Sequence, residues 1–184
     1  IVGFAIGILN LSKANGTLEQ MYSDRLLVLA ELDEVGRLMT LNQLNLAKAS
    51  LPNAQNTDAT MDLVEANAKR VAARWSEYAA TEMDPAEKVL ADRYVVERKT
   101  FVEQGLNPAI AAIRAHDAAR AAEIVNGDMA RLFTPMNKTI TELVEAQQTA
   151  AKDDYARSQE IYQLVLAVCV AGLAFGVIVA VVLG

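Results

Sequence analysis

The stretch MDLVEANAKRVAARWSEY, Met61 to Tyr78, carries apolar residues at Met61, Val64, Ala68, Val71, Trp75 and Tyr78. The steps alternate between three and four, the repeat of a helix that buries one stripe against neighbouring helices. A single stripe of this kind is marginal in water, so the chain around it must supply partner helices. Upstream, Leu32, Val35, Met39, Asn42 and Leu46 repeat the spacing, with Asn42 a polar member of the line. Leu29, Leu38, Leu41 and Leu44 fall off that line and widen the apolar arc. An arc wider than one bundle seam predicts that this first helix packs against a second copy of the chain; the alternative is that the extra leucines broaden the internal core.

Breakers divide the chain around these two seams. SLPNAQNTD, Ser50 to Asp58, reads as a loop ending at a helix-starting Thr57. MDPAEK supplies a helix start, with Asp84 as N-cap, Pro85 at the first helical position and Glu87 placed to close a capping box. AHDAAR supplies a further turn with Asp117 as cap. The expected helices are 12–50, 58–82, 85–115 and 118–160, in a segment rich in Ala, Leu, Glu and Lys and without strand-like alternation. The fold class is all-α, an up-down-up-down antiparallel four-helix bundle. The joint near 82–85 is expected on the membrane side, and the other two loops together at the far tip.

Membrane helices are expected at both ends. LVLAVCVAGLAFGVIVAVVLG, Leu164 to Gly184, is 21 residues without a charge. As a helix it covers roughly 30 Å, the thickness of a bilayer core. IVGFAIGIL, Ile1 to Leu9, is apolar but too short to span, and reads as the tail of a longer transmembrane helix. The expected organisation is therefore the end of a first transmembrane helix at 1–11, an extracytoplasmic four-helix-bundle domain at 12–160 and a second transmembrane helix at 161–184. Gly3/Gly7 and Gly172/Gly176 have the Gly-x-x-x-Gly spacing that permits close helix approach.

Every charged residue lies between Lys13 and Glu160, so the net charge of −6 belongs to the middle segment. An acidic segment between spans fits the translocated side of a membrane and argues against a nucleic-acid partner. The single Cys, Cys169, lies in the second span, and the single His, His116, in a loop. One His and a membrane Cys assemble no zinc, haem or nucleophilic set, so no metal, cofactor or enzymatic activity is expected.

A binding site can be argued from levels along the helices. Counted from the distal tip, Arg37, Arg70 and Arg131 fall about 13 residues down their helices, roughly 19 Å by helical rise. Arg74 and Thr134 lie about one turn lower, and Asn42 occupies the seam. Guanidiniums gathered at one level would clamp a carboxylate bidentately. The competing expectation is local ion pairing, because Asp33–Arg37, Arg74–Glu77 and Asp128–Arg131 are all spaced for it.

Three stretches in order resemble the sensor domain of bacterial methyl-accepting chemotaxis receptors. They are MYSDRLLVLAEL (Met21–Leu32), ARWSEYAA (Ala73–Ala80) and FVEQGLNPAIAAIRAHDAARAAEIVNGDMARLFTPMNKTITELVEAQ (Phe101–Gln147). The resemblance implies a homodimeric transmembrane receptor of the bacterial inner membrane whose periplasmic bundle senses a small molecule, a carboxylate or amino acid. It also implies output to a cytoplasmic kinase and adaptor through a HAMP domain and methylated coiled coil beyond Gly184. In the aspartate-receptor branch a Phe-x-x-Pro stretch on the fourth helix contributes to ligand recognition; Phe133 and Pro135 stand one residue closer together here. The arginines of the family's distal first helix are replaced by Asn42, Asn45 and Lys48. Two other readings stay open: the same bundle serving a transmembrane histidine kinase or cyclase, and a non-sensing helical stalk.

Overall fold

The computed structural model describes residues 2–183, with the side chains of 25–179, 181 and 182. Among the described residues it is helical, with no strand. Helix α1 is Val2–Ala49, and α2 is Thr57–Ala79. Helix α3, 85–114, consists of Pro85–Phe101, a π-helical turn Val102–Leu106 and Asn107–Arg114. Helix α4, 118–183, consists of Ala118–Ile124, a second π-helical turn Val125–Met129 and Ala130–Leu183. The chain forms two compact units, Leu27–Gln147 and, separately, Ile1–Leu26 with Gln148–Gly184.

The Leu27–Gln147 unit is a four-helix bundle whose termini follow local chemistry. Asp84 caps α3 by accepting from the Ala86 and Glu87 amides at 2.8 and 2.9 Å, with Pro85 at the first helical position. Asp117 caps α4 by accepting from the Arg120 amide at 2.9 Å. Between them α3 closes with a Schellman pair, His116 N–H to the Ile113 carbonyl and Asp117 N–H to that of Ala112, both 3.0 Å. His116 takes the left-handed position of this motif, φ 55°, which a glycine more often fills. Residues of the 50–56 loop and of the 115–117 turn line one small pocket, so these two connections share an end of the bundle. Helix α2 starts at the expected Thr57 but is capped and ended differently. Asn56, also at φ 55°, stands at the N-cap without a side-chain bond, and α2 ends at Ala79 rather than at 82.

The core is the seam read from the sequence, with two changes. Leu32, Val35, Met39, Asn42 and Leu46 of α1 are all buried, as are Met61, Val64, Val71, Trp75 and Tyr78 of α2. Ala68 is only half-buried, and Asn67 takes the interior place beside it. The reason is a hydrogen bond: Asn67 Nδ2 donates to Asn42 Oδ1 at 2.9 Å while Asn42 Nδ2 donates to the Val64 carbonyl at 3.0 Å. A buried amide is tolerated where such partners exist. Leu38 is 2 % exposed and belongs to the core, whereas Leu44 is 48 % exposed. Trp75 packs between Tyr78 and Tyr94, with ring centroids 5.1 and 4.2 Å away.

Glu87 corrects the expected capping box. Its carboxylate does not turn back to the Asp84 amide; it is buried, accepting from the Tyr78 hydroxyl at 2.5 Å and from the Gln147 amide. An N3 glutamate suits either role, and here the buried phenol and amide offer stronger donors than a solvated cap. The trio ties α2, α3 and α4 together at the end of the bundle opposite the two shared loops.

The two π-turns meet. A Cβ on Gly105 would lie 3.2 Å from Met129 Cα, so the absence of a side chain lets α3 and α4 approach at their extra residues. Gly127 faces open space. Gly105→Val should therefore cost about 1–3 kcal/mol through overpacking. Gly127→Ala should be neutral or stabilising by up to about 1 kcal/mol, since it lowers unfolded-chain entropy. Denaturant melts of the two variants beside the parent check the contrast; equal midpoints would refute the close approach.

In the other unit, Arg25 bridges to Asp154 through Nε at 2.8 Å and a terminal nitrogen at 2.6 Å. Beyond Glu160, α4 has no charge and exposes large apolar side chains on all sides, among them Leu164, Val168, Leu173, Phe175 and Val177. This helix is long and apolar enough to cross a membrane. The expected first span at 1–11, with its Gly3/Gly7 pair, lies outside the described side chains.

Candidate functional site

The bundle brings three of the expected arginines together and separates the fourth. Arg70 and Arg74 of α2 and Arg37 of α1 surround Glu34, a carboxylate whose side chain is 17 % exposed. Arg74 Nε donates to Glu34 at 2.8 Å, Arg70 pairs with the other carboxylate oxygen, and Arg37 comes only to 3.8 Å. Arg74 also pairs with Glu77, whose hydrogen bond and charge, with that of Glu34, push its guanidinium further above its ordinary range. Glu34 and Glu77 thus offset two of the three guanidinium charges in this α1–α2 cluster.

Arg131 pairs instead with Asp128 of its own helix at 3.1 Å, and Thr134 donates to the Ala130 carbonyl at 3.1 Å. Both expected local pairs on α2 and α4 are formed, whereas Asp33 and Arg37 make no pair with each other. Asn42 is 5 % exposed and engaged inside the bundle with Val64 and Asn67. Phe133 is buried, its ring 6.0 Å from that of Phe101, and so packs the core beside the π-turns. Rise along an axis sets a level but not an azimuth, which is why residues at one height ended on different faces.

A groove between α1 and α4 was not visible from spacing alone. It is open to solvent and offers about 570 Å³, within the range of small-molecule sites. Its floor is apolar, with Leu41, Leu44 and Ile140. Gly36 forms part of it, a Cβ there meeting Ile140 at 3.4 Å, so that α1 and α4 close beneath the groove. Its polar groups are Asp33, Arg37, Thr40, Asn137 and Thr141. Thr40 and Thr141 send their hydroxyl hydrogens to the carbonyls of Gly36 and Asn137, leaving the oxygens able to accept. Arg37 thus stands at the meeting point of the cluster and the groove, its side chain 58 % exposed. Because Arg70 and Arg74 already hold Glu34, Arg37 keeps donors to spare. No group of three or more His, Cys, Asp or Glu that would hold a metal occurs among the described residues.

The family model for Tar ligand binding domain homologues, TarH, matches residues 1–151. The chain belongs to this family, the ligand-binding sensor domains of chemotaxis receptors. No curated protein and no solved structure matches it.

Proposed function

We propose that this chain is the input module of a transmembrane chemoreceptor that senses a small carboxylate, best an α-amino acid, in the periplasm. The observation that carries the reading is the α1–α4 groove, where an available guanidinium, Arg37, and an unpaired carboxylate, Asp33, stand one helical turn apart over an apolar floor. A zwitterion answers both charges: its carboxylate to Arg37, its ammonium to Asp33, its side chain to Leu41 and Ile140. Arg70 and Arg74 act behind Arg37 by neutralising Glu34, which would otherwise repel the ligand carboxylate. Arg131 and Thr134 lie on α4 nearer the tip, outside the lining of the groove.

The exposed Leu44 and half-buried Leu41 on the groove's α1 side favour a homodimer in which a second copy covers this face. A ligand there touches α1 and α4, and α4 runs on into the apolar segment suited to the bacterial inner membrane. Preferential binding to one of two α4 positions would shift their populations, with displacements of about 1–2 Å typical for helices. Output to a cytoplasmic kinase and adaptor would follow from that shift.

The direct screen is thermal unfolding of the chain in lipid nanodiscs against amino acids and small organic acids. A hit at about 100 times its Kd should stabilise the fold by about 2.7 kcal/mol. The expected hits are zwitterions. If only amines without a carboxylate shift the melt, Arg37 is not the anchor and the reading fails.

A further inference from the structure

The bundle also holds a partly open pocket of about 30 Å³ that shares no lining residue with the α1–α4 groove. It lies among all four helices, where Met39 and Asn42 of α1 face Tyr94 and Arg98 of α3, and is otherwise apolar. From its lining and its free bonding capacity we infer that it is a binding site for a small monovalent anion of one to three heavy atoms, of the size of chloride or formate.

Arg98 is the first reason. In the Leu27–Gln147 unit Arg70, Arg74, Arg93, Arg114, Arg120 and Arg131 each have a carboxylate partner, and Arg37 comes within 3.8 Å of Glu34. Arg98 has none among the described residues, although it is half-buried. A half-buried guanidinium without an anion has lost hydration without replacement. Its charge is felt inside, where it opposes the burial that raises the Tyr94 phenol.

The second reason is that the wall has hydrogen-bond donors to spare. The Tyr94 side chain is fully buried, and its hydroxyl donates to Met39 Sδ at 3.3 Å. Sulfur is a weak acceptor, so an anion would take that hydrogen bond at little cost. Asn42 spends its oxygen on Asn67 and one N–H on Val64, which leaves its second N–H. No acidic side chain lines the cavity. Guanidinium, hydroxyl and amide N–H around a small apolar chamber form an anion site, and the volume limits the occupant, since roughly 10–15 Å³ already admits a water molecule.

Trp75, the only tryptophan, packs against Tyr94 with the rings tilted by 45° and reports the site. The test titrates sodium chloride and sodium formate into the chain in nanodiscs, at ionic strength held constant with sulfate, reading Trp75 emission and thermal midpoint. The expected result is a saturable change in both with chloride or formate. Arg98→Gln and Tyr94→Phe should each weaken it by roughly 10-fold or more, the loss expected for a hydrogen bond to a charged group. With chloride, which carries no carboxylate, Arg37→Ala should leave the response unchanged, which separates this site from the groove. A response that never saturates, or one that survives Arg98→Gln, overturns the inference and leaves a cavity that holds water. A response lost in Arg37→Ala and kept in Arg98→Gln does the same, and reports the groove instead.

Discussion

Raising the pH above about 10 should destabilise the bundle steeply, because two fully buried phenols must then lose protons only in the unfolded chain. Tyr78 is pushed above its ordinary value of 10.0 by burial first, then by its hydrogen bond to Glu87 and that carboxylate's charge. Tyr94 is pushed up by burial, with Arg98 pulling the other way. A raised folded-state pKa means stability that is fully present below the unfolded value and lost as pH climbs past it. Each tyrosine contributes at most about 1.4 kcal/mol per pH unit, so the pair should reach about 2.8 kcal/mol per unit. Denaturant melts of the chain in nanodiscs, followed by circular dichroism from about pH 9 to 11, read the slope. Tyr78→Phe and Tyr94→Phe should each remove about half of it. Slopes unchanged in both variants would mean that neither hydroxyl is shielded as the packing requires.

Leucines on one helix should behave in opposite ways. Leu38, in the core at 2 % exposure, should not accept a lysine: Leu38→Lys loses the packing of a buried leucine and adds an unpaired ammonium. The expected loss is about 4 kcal/mol or more, enough to unfold a domain of ordinary stability. Leu44 is 48 % exposed at the groove, so Leu44→Lys should change stability by no more than about 0.5 kcal/mol while weakening self-association. Circular-dichroism melts read the first effect, and sedimentation or cross-linking of the chain in detergent reads the second. A folded Leu38→Lys would contradict the core, and a Leu44→Lys that associates like the parent would move the interface elsewhere.

These two leucines also show where periodicity stops. Spacings of three and four identify the α1 and α2 seams, because burial repeats with the helix turn, and Asp84–Pro85 and Asp117 mark helix starts by direct backbone capping. The same spacing cannot rank Leu38 against Leu44, since both flank the seam and only the packing of neighbouring helices decides which side is covered. Glu87 stood in a position that serves a cap or an interior bond equally well, and Tyr78 and Gln147, distant in sequence, settled it. The π-turns leave no compositional mark beyond Gly105 and Gly127, so the register change they bring to α3 and α4 was not legible. The arginines were legible as a level. That Glu34 would gather three of them, leaving Arg37 at the groove, depended on which faces of α1 and α2 meet.

The groove is the centre of the account, and one titration addresses it most directly. Calorimetry of the amino acid with the largest thermal shift, on the chain in nanodiscs, should give saturable binding that Arg37→Ala weakens by roughly 10-fold or more, in line with losing a bidentate charge-assisted pair. Arg131→Ala, whose guanidinium is held by Asp128, should bind within about threefold of the parent. Parent-like affinity in Arg37→Ala, or loss of binding in Arg131→Ala alone, would contradict the site.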